Sequence, residues 1–356
     1  MRVLYVAYPL LPVTEASAGG AEQMLWVLER EINRRGHATV VAACPGSRVS
    51  GQLVETGSAG PGVDRFAERE AEHSRRILDY IADCEANGQP FDLIHDKSGH
   101  FWKHAGELNL PVLATLHLAR RLYTSEMFNQ FPPNLFFNCV SRSHRESFHD
   151  LPHVMGVVEN GIVVDNFPFT HEKGDHVLWL GRICEEKGTH LAIESARKAR
   201  VQIVVAGAVY PFSYHQQYFA REVEPLLSDG AVRLVNEPTF ERKLDLLRHA
   251  RAVLVPSVVE ESSSLVAMEA MACGTPVVGF RRGAIPEVVE HGVTGYVVDN
   301  VEQMAAAIGK LGSVSPEACR ERVEQRFCSQ RMADDYERLY ARVIQKPSSS
   351  FELGRL

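Results

Sequence analysis

The sequence predicts an α/β protein built from parallel sheets in two domains, and three observations carry that prediction. Short apolar runs such as Val3–Ala7, Val40–Ala43, Val201–Ala206 and Ala252–Val255 alternate with amphipathic stretches from one end to the other. That alternation is the mark of βαβ units wound around parallel strands. At 356 residues the chain is long enough for two cores of ordinary size. Near the middle, the Asn160-Gly161 turn and the polar run Phe167–Gly174 interrupt the alternation, which then resumes. The run 167–174 reads as a linker, so one domain is expected over 1–168 and a second over 169–331.

Composition narrows the class of function. An apolar fraction of 45% and a charged fraction of 23% are those of a globular chain. The net charge of −7 argues against a nucleic-acid partner and supplies no polybasic membrane anchor. Basic pairs such as Arg120-Arg121 and Arg281-Arg282 leave room for peripheral membrane contact at most. No apolar run approaches the ~20 residues of a membrane span. Val3–Val13 resembles a short signal core, but Pro9 and Pro12 interrupt it, and a buried first strand is expected instead. Seven scattered cysteines, none in a Cys-x-x-Cys pair, point to reduced thiols in the cytoplasm and against a structural zinc.

In chain order, the first strand leads into a loop ending Ala18-Gly19-Gly20-Ala21-Glu22, and Met24, Leu25, Leu28 and Ile32 mark the helix that follows. Glycine lets backbone amides approach an anion closely, so Gly19 and Gly20 are phosphate-binding candidates. Residues 46–62 read as a mobile loop, and Phe66–Glu85 as a charged helix. The runs Phe91–Asp96 and Pro111–His117 read as strands that carry His95, Asp96 and His117 at their carboxyl ends, where ligands of open α/β sheets gather. His117 is the stronger candidate of the two histidines, and Asp96 is a candidate partner for an acceptor hydroxyl. In both histidines a purely structural hydrogen-bonding role competes. Leu135–Ser141 and Val154–Val158 extend the sheet.

In the second half, the strand His176–Gly181 precedes the loop from Arg182 to Gly188. Arg182 and Lys187, five apart across a strand's carboxyl end, can converge on a diphosphate. Alternatively they balance Glu185 and Glu186 on a solvated loop. A polar segment with Tyr210, Phe212, Tyr214 and Tyr218 follows the next strand, then the strand Ala231–Val235 and a helix over Thr239–His249. Helices are expected over Val301–Leu311 and from Pro316 to about Ile344, with a frayed tail over 347–356.

The chain is organised around Pro256–Val278, PSVVEESSSLVAMEAMACGTPVV. A buried strand ends at Pro256, a short helix starts near Ser263 or Ser264, and Cys273-Gly274 stops it. Glu269 then sits about 8 Å up the helix axis, its side chain leaning back toward the mouth that Glu261 also borders. The first-turn amides beside Ser262, Ser263, Ser264 and Leu265 suit a phosphate. Two carboxylates next to an anion site fit a sugar nucleotide, because carboxylates accept hydrogen bonds from vicinal hydroxyls. The plainer alternative is a serine-capped helix with two solvated glutamates.

Together these residues give the chain a family signature: it resembles the retaining glycosyltransferases of family 4, the group 1 glycosyltransferases. The glutamate frame stands at Glu261 and Glu269 within Pro256–Val278, and the GRxxxxKG loop at Gly181-Arg182 to Lys187-Gly188. The GGxE turn is Gly19–Glu22, the TxH strand end Thr115–His117, the NG turn Asn160-Gly161, and the PEvvxxGxtG segment Pro286–Gly295. The resemblance implies a GT-B fold, two Rossmann-like doubly wound domains facing across a cleft, with a C-terminal helix at about 332–346 returning to the first. It implies that Arg182, Lys187 and amides near Gly20 and Ser263–Leu265 neutralise the donor diphosphate. Glu269 would hold the ribose, Glu261 the transferred sugar, and His117 the sugar or developing oxyanion, while the base sits near Gly207 and Val235. On the same footing Arg182, Lys187, Glu261 and His117 form the catalytic set, and His95 and Asp96 are acceptor-side candidates. Two departures stand out: Ser263 and Ser264 replace a usual Phe-Gly, and Val163 stands where an acid is common.

Chemistry follows from charge. Breaking the anomeric bond leaves an oxocarbenium-like sugar and a diphosphate gaining negative charge, which positioned cations and amides stabilise. In retaining members the donor's own phosphate assists the acceptor on the same face, so no enzyme nucleophile is assigned. No Asp-x-Asp pair exists in the chain, and no metal or other cofactor is expected. The expected partners are a nucleoside-diphosphate sugar, UDP-linked by family frequency, and a hydroxyl-bearing acceptor. Competing readings are another GT-B enzyme, such as a sugar-nucleotide epimerase or phosphorylase, and a non-catalytic sugar-nucleotide sensor. Loss of the phosphate-binding cations would mark the sensor, and here Arg182 and Lys187 are present.

Overall fold

A computed structural model describes residues 1–17, 19–57, 65–228 and 230–345. It separates the chain into two compact units, one formed by Met1–Gly161 with the segment from Ser329 onward, the other by Ile162–Cys328.

In the first unit the strands are β1 (Arg2–Val6), β2 (Ala38–Ala43), β3 (Gln52–Glu55), β4 (Leu93–Asp96), β5 (Val112–Thr115), β6 (Leu135–Cys139) and β7 (Val154–Val157). They form one parallel sheet in the order β3-β2-β1-β4-β5-β6-β7. Central strands such as β1 and β4 are buried over most of their length, as near-continuous Val/Leu/Ile runs require when both faces of a sheet are covered. Helices α1 (Gly20–Arg34), α2 (Phe66–Ala86) and α3 (Arg142–Glu146) belong to this unit. Leu4, Val6, Ile77, Ile81, Ile94, Trp102 and Phe137 share its main core.

The second unit repeats the plan with β8 (Val177–Leu180), β9 (Ile203–Gly207), β10 (Val232–Asn236), β11 (Ala252–Val255), β12 (Val277–Phe280) and β13 (Gly295–Val298). Its parallel order is β10-β9-β8-β11-β12-β13. The helices are α4 (Thr189–Ala199), α5 (Ser213–Tyr218), α6 (Phe240–His249), α7 (Leu265–Ala272), α8 (Ile285–Val288), α9 (Val301–Ile308) and α10 (Pro316–Arg326). The expected architecture of two doubly wound parallel-sheet units is therefore present. Strand order reverses between β1 and β4 in one sheet and between β8 and β11 in the other, and such switch points are where open α/β sheets bind ligands.

Helix α11 (Ser329–Ile344) packs on α1 in the first unit. Tyr336 and Tyr340 are fully buried; the Tyr340 hydroxyl lies 2.7 Å from His95 Nδ1 and 3.1 Å from the Tyr5 hydroxyl. Arg35 pairs with Asp334 at 2.6 Å and with Glu337, which also meets His37 Nε2 at 2.8 Å. Two large aromatic side chains, each burying roughly 150–250 Å², anchor this terminal helix.

Four local expectations change. The stretch read as a loop over 46–62 contains β3, a half-exposed edge strand whose QLVE sequence is too short to show a period; residues 58–62 of that stretch lie outside the described residues. The polar segment after β9 is helical over Ser213–Tyr218 and continues as a π-turn to Val223. The helical run beginning at Pro316 is broken at Phe327-Cys328, where Cys328 bridges Ile162 and the Ile162 amide donates to the Phe327 carbonyl at 2.8 Å. The run 167–174 is not a free linker: Arg320 donates to the Val164, Phe167 and Ala272 carbonyls, and Lys173 to Arg248, Cys273 and Thr275, fastening it to the second unit. The expected tail over 347–356 lies outside the described residues.

Candidate active site

In the second unit, three segments meet at the carboxyl ends of β8 and β11. The loop after β8 carries Arg182 and Lys187 and turns at Gly188, where φ is +63° and a Cβ would lie 2.2 Å from the Pro256 carbonyl oxygen. Only glycine lets this loop lie against the end of β11. The segment after β11 brings Ser257 and Glu261 under Lys187, whose Nζ donates to Glu261 Oε1 at 2.6 Å; the Ser257 hydroxyl donates to the same oxygen. Glu261 is nine-tenths buried, and its backbone carbonyl accepts from the Ala284 amide at 2.8 Å. The third segment is α7, with Ser264 as N-cap and Leu265 as its first residue. Ser264 makes no side-chain cap bond, and the Ser263 hydroxyl is buried with no hydrogen-bond partner. The first helical amides and an unused hydroxyl therefore remain for an anion.

One turn along α7, Glu269 is 5% exposed and its Oε1 accepts from Lys243 Nζ of α6 at 2.8 Å. The structure thus brings Lys187, Glu261, Ser262, Ser263, Ser264, Leu265 and Glu269 to one end of one sheet. Both glutamates are held by lysines and buried, which excludes the plainer reading of two solvated carboxylates. Arg182 is exposed at the rim, its guanidinium 5.6 Å over the Tyr210 ring. Gly207 and Val235 lie at the carboxyl ends of the paired strands β9 and β10, one register step apart. Lys243 and Ser257 were missed in the sequence, since FERKLDLL places Lys243 on what reads as a solvated helix face.

The first unit's switch point is built differently. Gly19 and Gly20 follow β1 at the start of α1, where the Glu22 carboxylate lies against Gly19 and burial raises its pKa. His95, expected on the acceptor side, has both nitrogens engaged, with the Tyr340 and Thr115 hydroxyls at 2.7 Å each. Asp96 accepts from the Ser98 amide and hydroxyl and from the Trp102 amide, so it caps the turn after β4. Both residues do structural work within the unit. His117 is half-buried just past β5, its amide donating to the Tyr123 hydroxyl at 3.2 Å; burial and the neighbouring Lys97 hold its imidazole well below the usual pKa. Lys97, also missed in the sequence, is 3% exposed with an Nζ that makes no hydrogen bond, and burial pushes its pKa down to about 7.

Residues 174–313 match the family model of glycosyl transferases group 1. The chain is 40% identical over 93 residues to N-acetyl-alpha-D-glucosaminyl L-malate synthase of Bacillus anthracis, an alignment spanning 24% of each protein. It is 26% identical over 378 aligned positions to D-inositol 3-phosphate glycosyltransferase of Mycolicibacterium paratuberculosis, covering 89% of this chain and 83% of that one. Among solved structures, sucrose-phosphate synthase of Thermosynechococcus elongatus superposes with a TM-score of 0.79 at 20% identity over 96% of this chain and 99% of that one. HepE of Anabaena in complex with UDP-glucose gives 0.73 at 15% identity over 96% and 100%. At such identities the superpositions speak for the fold, and the family match speaks for the second unit. The chain accordingly has a GT-B fold and carries, over residues 174–313, a group 1 glycosyltransferase domain.

Proposed function

We propose that the protein is a retaining glycosyltransferase that moves a hexosyl group from a nucleoside-diphosphate sugar, with UDP favoured, to an acceptor hydroxyl without a divalent metal. The observation that carries this reading is the pair of buried glutamates, each held by a lysine, at the mouth of α7. Arg182, Lys187 and the amides at Ser263–Leu265 are assigned to the diphosphate. Glu269 takes the ribose, Glu261 the hydroxyls of the transferred sugar, and the strand ends at Gly207 and Val235 the base. Lys187 holds the Glu261 side chain aligned before the donor arrives, so little reorganisation accompanies binding. His117, held neutral, acts by hydrogen bonding in this reading and not by charge. That HepE binds UDP-glucose on the same fold favours UDP. The seven unpaired cysteines favour a reducing compartment, the cytoplasm. Among the described residues no helix is long and apolar enough to cross a membrane; peripheral membrane contact at most is assigned in this reading, and no nucleic-acid partner.

Two substitutions test the division of roles. Gln keeps the shape of Glu and one acceptor but loses the charge. Glu269→Gln should weaken UDP and UDP-sugar together, because the ribose is common to both. Glu261→Gln should leave UDP affinity nearly unchanged while lowering donor affinity and turnover. Calorimetry with UDP and a UDP-sugar panel, together with turnover in EDTA, reads all of this. Equal loss of UDP affinity in both variants overturns the assignment, and turnover that vanishes in EDTA and returns with magnesium or manganese overturns the metal-free mechanism.

A further inference from the structure

The loop that carries Arg182 and Lys187 has a second face. On it, Cys184, Glu186 and His215 bring one ligand atom each within 4.8 Å of one another. Cys184 and His215 are completely buried. Neither nitrogen of His215 makes a hydrogen bond, and Glu186 Oε2 is likewise buried without a partner. Three aromatic rings enclose the imidazole, with Tyr214 at 4.2 Å, Phe212 at 5.2 Å and Tyr210 at 6.2 Å between centroids. A buried imidazole with no hydrogen bond on either nitrogen is costly, since its desolvation is left uncompensated. Something that takes a nitrogen, a sulfur and an oxygen at once would relieve it.

We propose that Cys184, Glu186 and His215 form a three-ligand site for a thiophilic divalent cation of the zinc type. Thiolate, imidazole and carboxylate are the ligands zinc prefers, at about 2.3, 2.0–2.1 and 2.0–2.2 Å. A cluster whose atoms already lie within 4.8 Å closes onto such an ion with small side-chain movements. The thiolate and carboxylate supply two negative charges against the ion, while the nearby Arg182 opposes it and limits the affinity. The fourth position is left to water. Sequence gave no signal because the ligands come from two segments, the 3-10 turn after β8 and α5, and no Cys-x-x-Cys pair exists. The cation ties these segments together and takes no part in the proposed transfer, so turnover in EDTA and loading of this site are separate questions.

The test uses the full chain, stripped with chelator and exchanged into metal-free buffer, with Co²⁺ and Zn²⁺ as probes and no nucleotide present. One Co²⁺ per chain should bind with a thiolate-to-cobalt charge-transfer absorption, and Zn²⁺ should displace it. Cys184→Ser should abolish that absorption, while Glu186→Gln and His215→Ala should each weaken Zn²⁺ tenfold or more. Zn²⁺ should raise the melting temperature of the wild type by more than that of Glu186→Gln at the same concentration, and this variant keeps the shape of the loop if the others fold poorly. A charge-transfer band that survives Cys184→Ser, Zn²⁺ affinity unchanged in Glu186→Gln, or no stoichiometric Co²⁺ binding overturns the proposal.

Discussion

The two switch points solve the same topological problem with opposite electrostatics. At the second, between β8 and β11, both candidate glutamates have a lysine: Lys187 on Glu261 at 2.6 Å and Lys243 on Glu269 at 2.8 Å. At the first, between β1 and β4, Lys97 is buried with no hydrogen bond and its neighbours are neutral, the imidazoles of His95 and His117 and the Tyr336 ring 5.2 Å away. One end is prepared as a set of fixed charges, which suits a ligand of fixed charge such as a diphosphate. The other stores an amine whose charge depends on what arrives.

The largest effect expected from this contrast lies at Lys243 and Glu269. Their side chains are 17% and 6% exposed, so removing one leaves the other buried and uncompensated. Such a break costs about 3–5 kcal/mol, whereas replacing both partners by apolar residues of similar volume is often close to neutral. Denaturant melts of Glu269→Leu, Lys243→Met and the double variant should show the double variant recovering most of the loss. Additive losses would mean that the pair does not act as a unit.

Next in size is nucleotide binding. Arg182 is exposed and laid over Tyr210, so Arg182→Ala should move stability by no more than about 0.5 kcal/mol. Lys187→Ala also strips Glu261 of its cation and should melt earlier. Both should lose about one to two decades of UDP affinity by calorimetry, the worth of one charge-assisted contact. If only Lys187→Ala binds UDP more weakly, the rim arginine belongs to the loop and not to the site.

How legible these two ends were follows from the same difference. The alternation of apolar runs named both sheets, because β strands covered on both faces announce themselves as continuous Val/Ile/Leu segments. It missed β3, whose QLVE is half-exposed at the sheet edge, and β13, which opens on a glycine and offers only a three-residue apolar run. At the second switch point, Glu261, Glu269, Arg182 and Lys187 were readable through the family frames that hold them, whereas their spacing alone left solvated alternatives open. Their lysine and serine partners were not, because Lys243 and Ser257 become partners only when β11, α6 and α7 pack. At the first switch point, spacing put His95 and Asp96 at a strand end but could not show that their polar atoms were already taken by Tyr340, Thr115, Ser98 and Trp102.

The smallest expected effect tests the other side of the contrast, the stored amine. Burial pushes the pKa of Lys97 from the ordinary 10.5 down to about 7. Below pH 7 the lysine is protonated in both folded and unfolded chains, and the folded state bears the full cost of the buried charge. Between pH 7 and 10.5 the unfolded chain binds the proton that the folded one has released, so stability rises with pH across that window. Above it the amine is neutral in both states and the penalty is gone. Lys97→Met should therefore stabilise the protein by about 1–3 kcal/mol at pH 7, the cost of a buried polar group without a partner. The gain should shrink by pH 9.5, when the wild type has recovered most of it. Urea melts of both proteins at the two pH values measure this directly. A gain that is the same at both would mean that the amine stays charged in the folded state, and the first switch point would then be a second site of fixed charge.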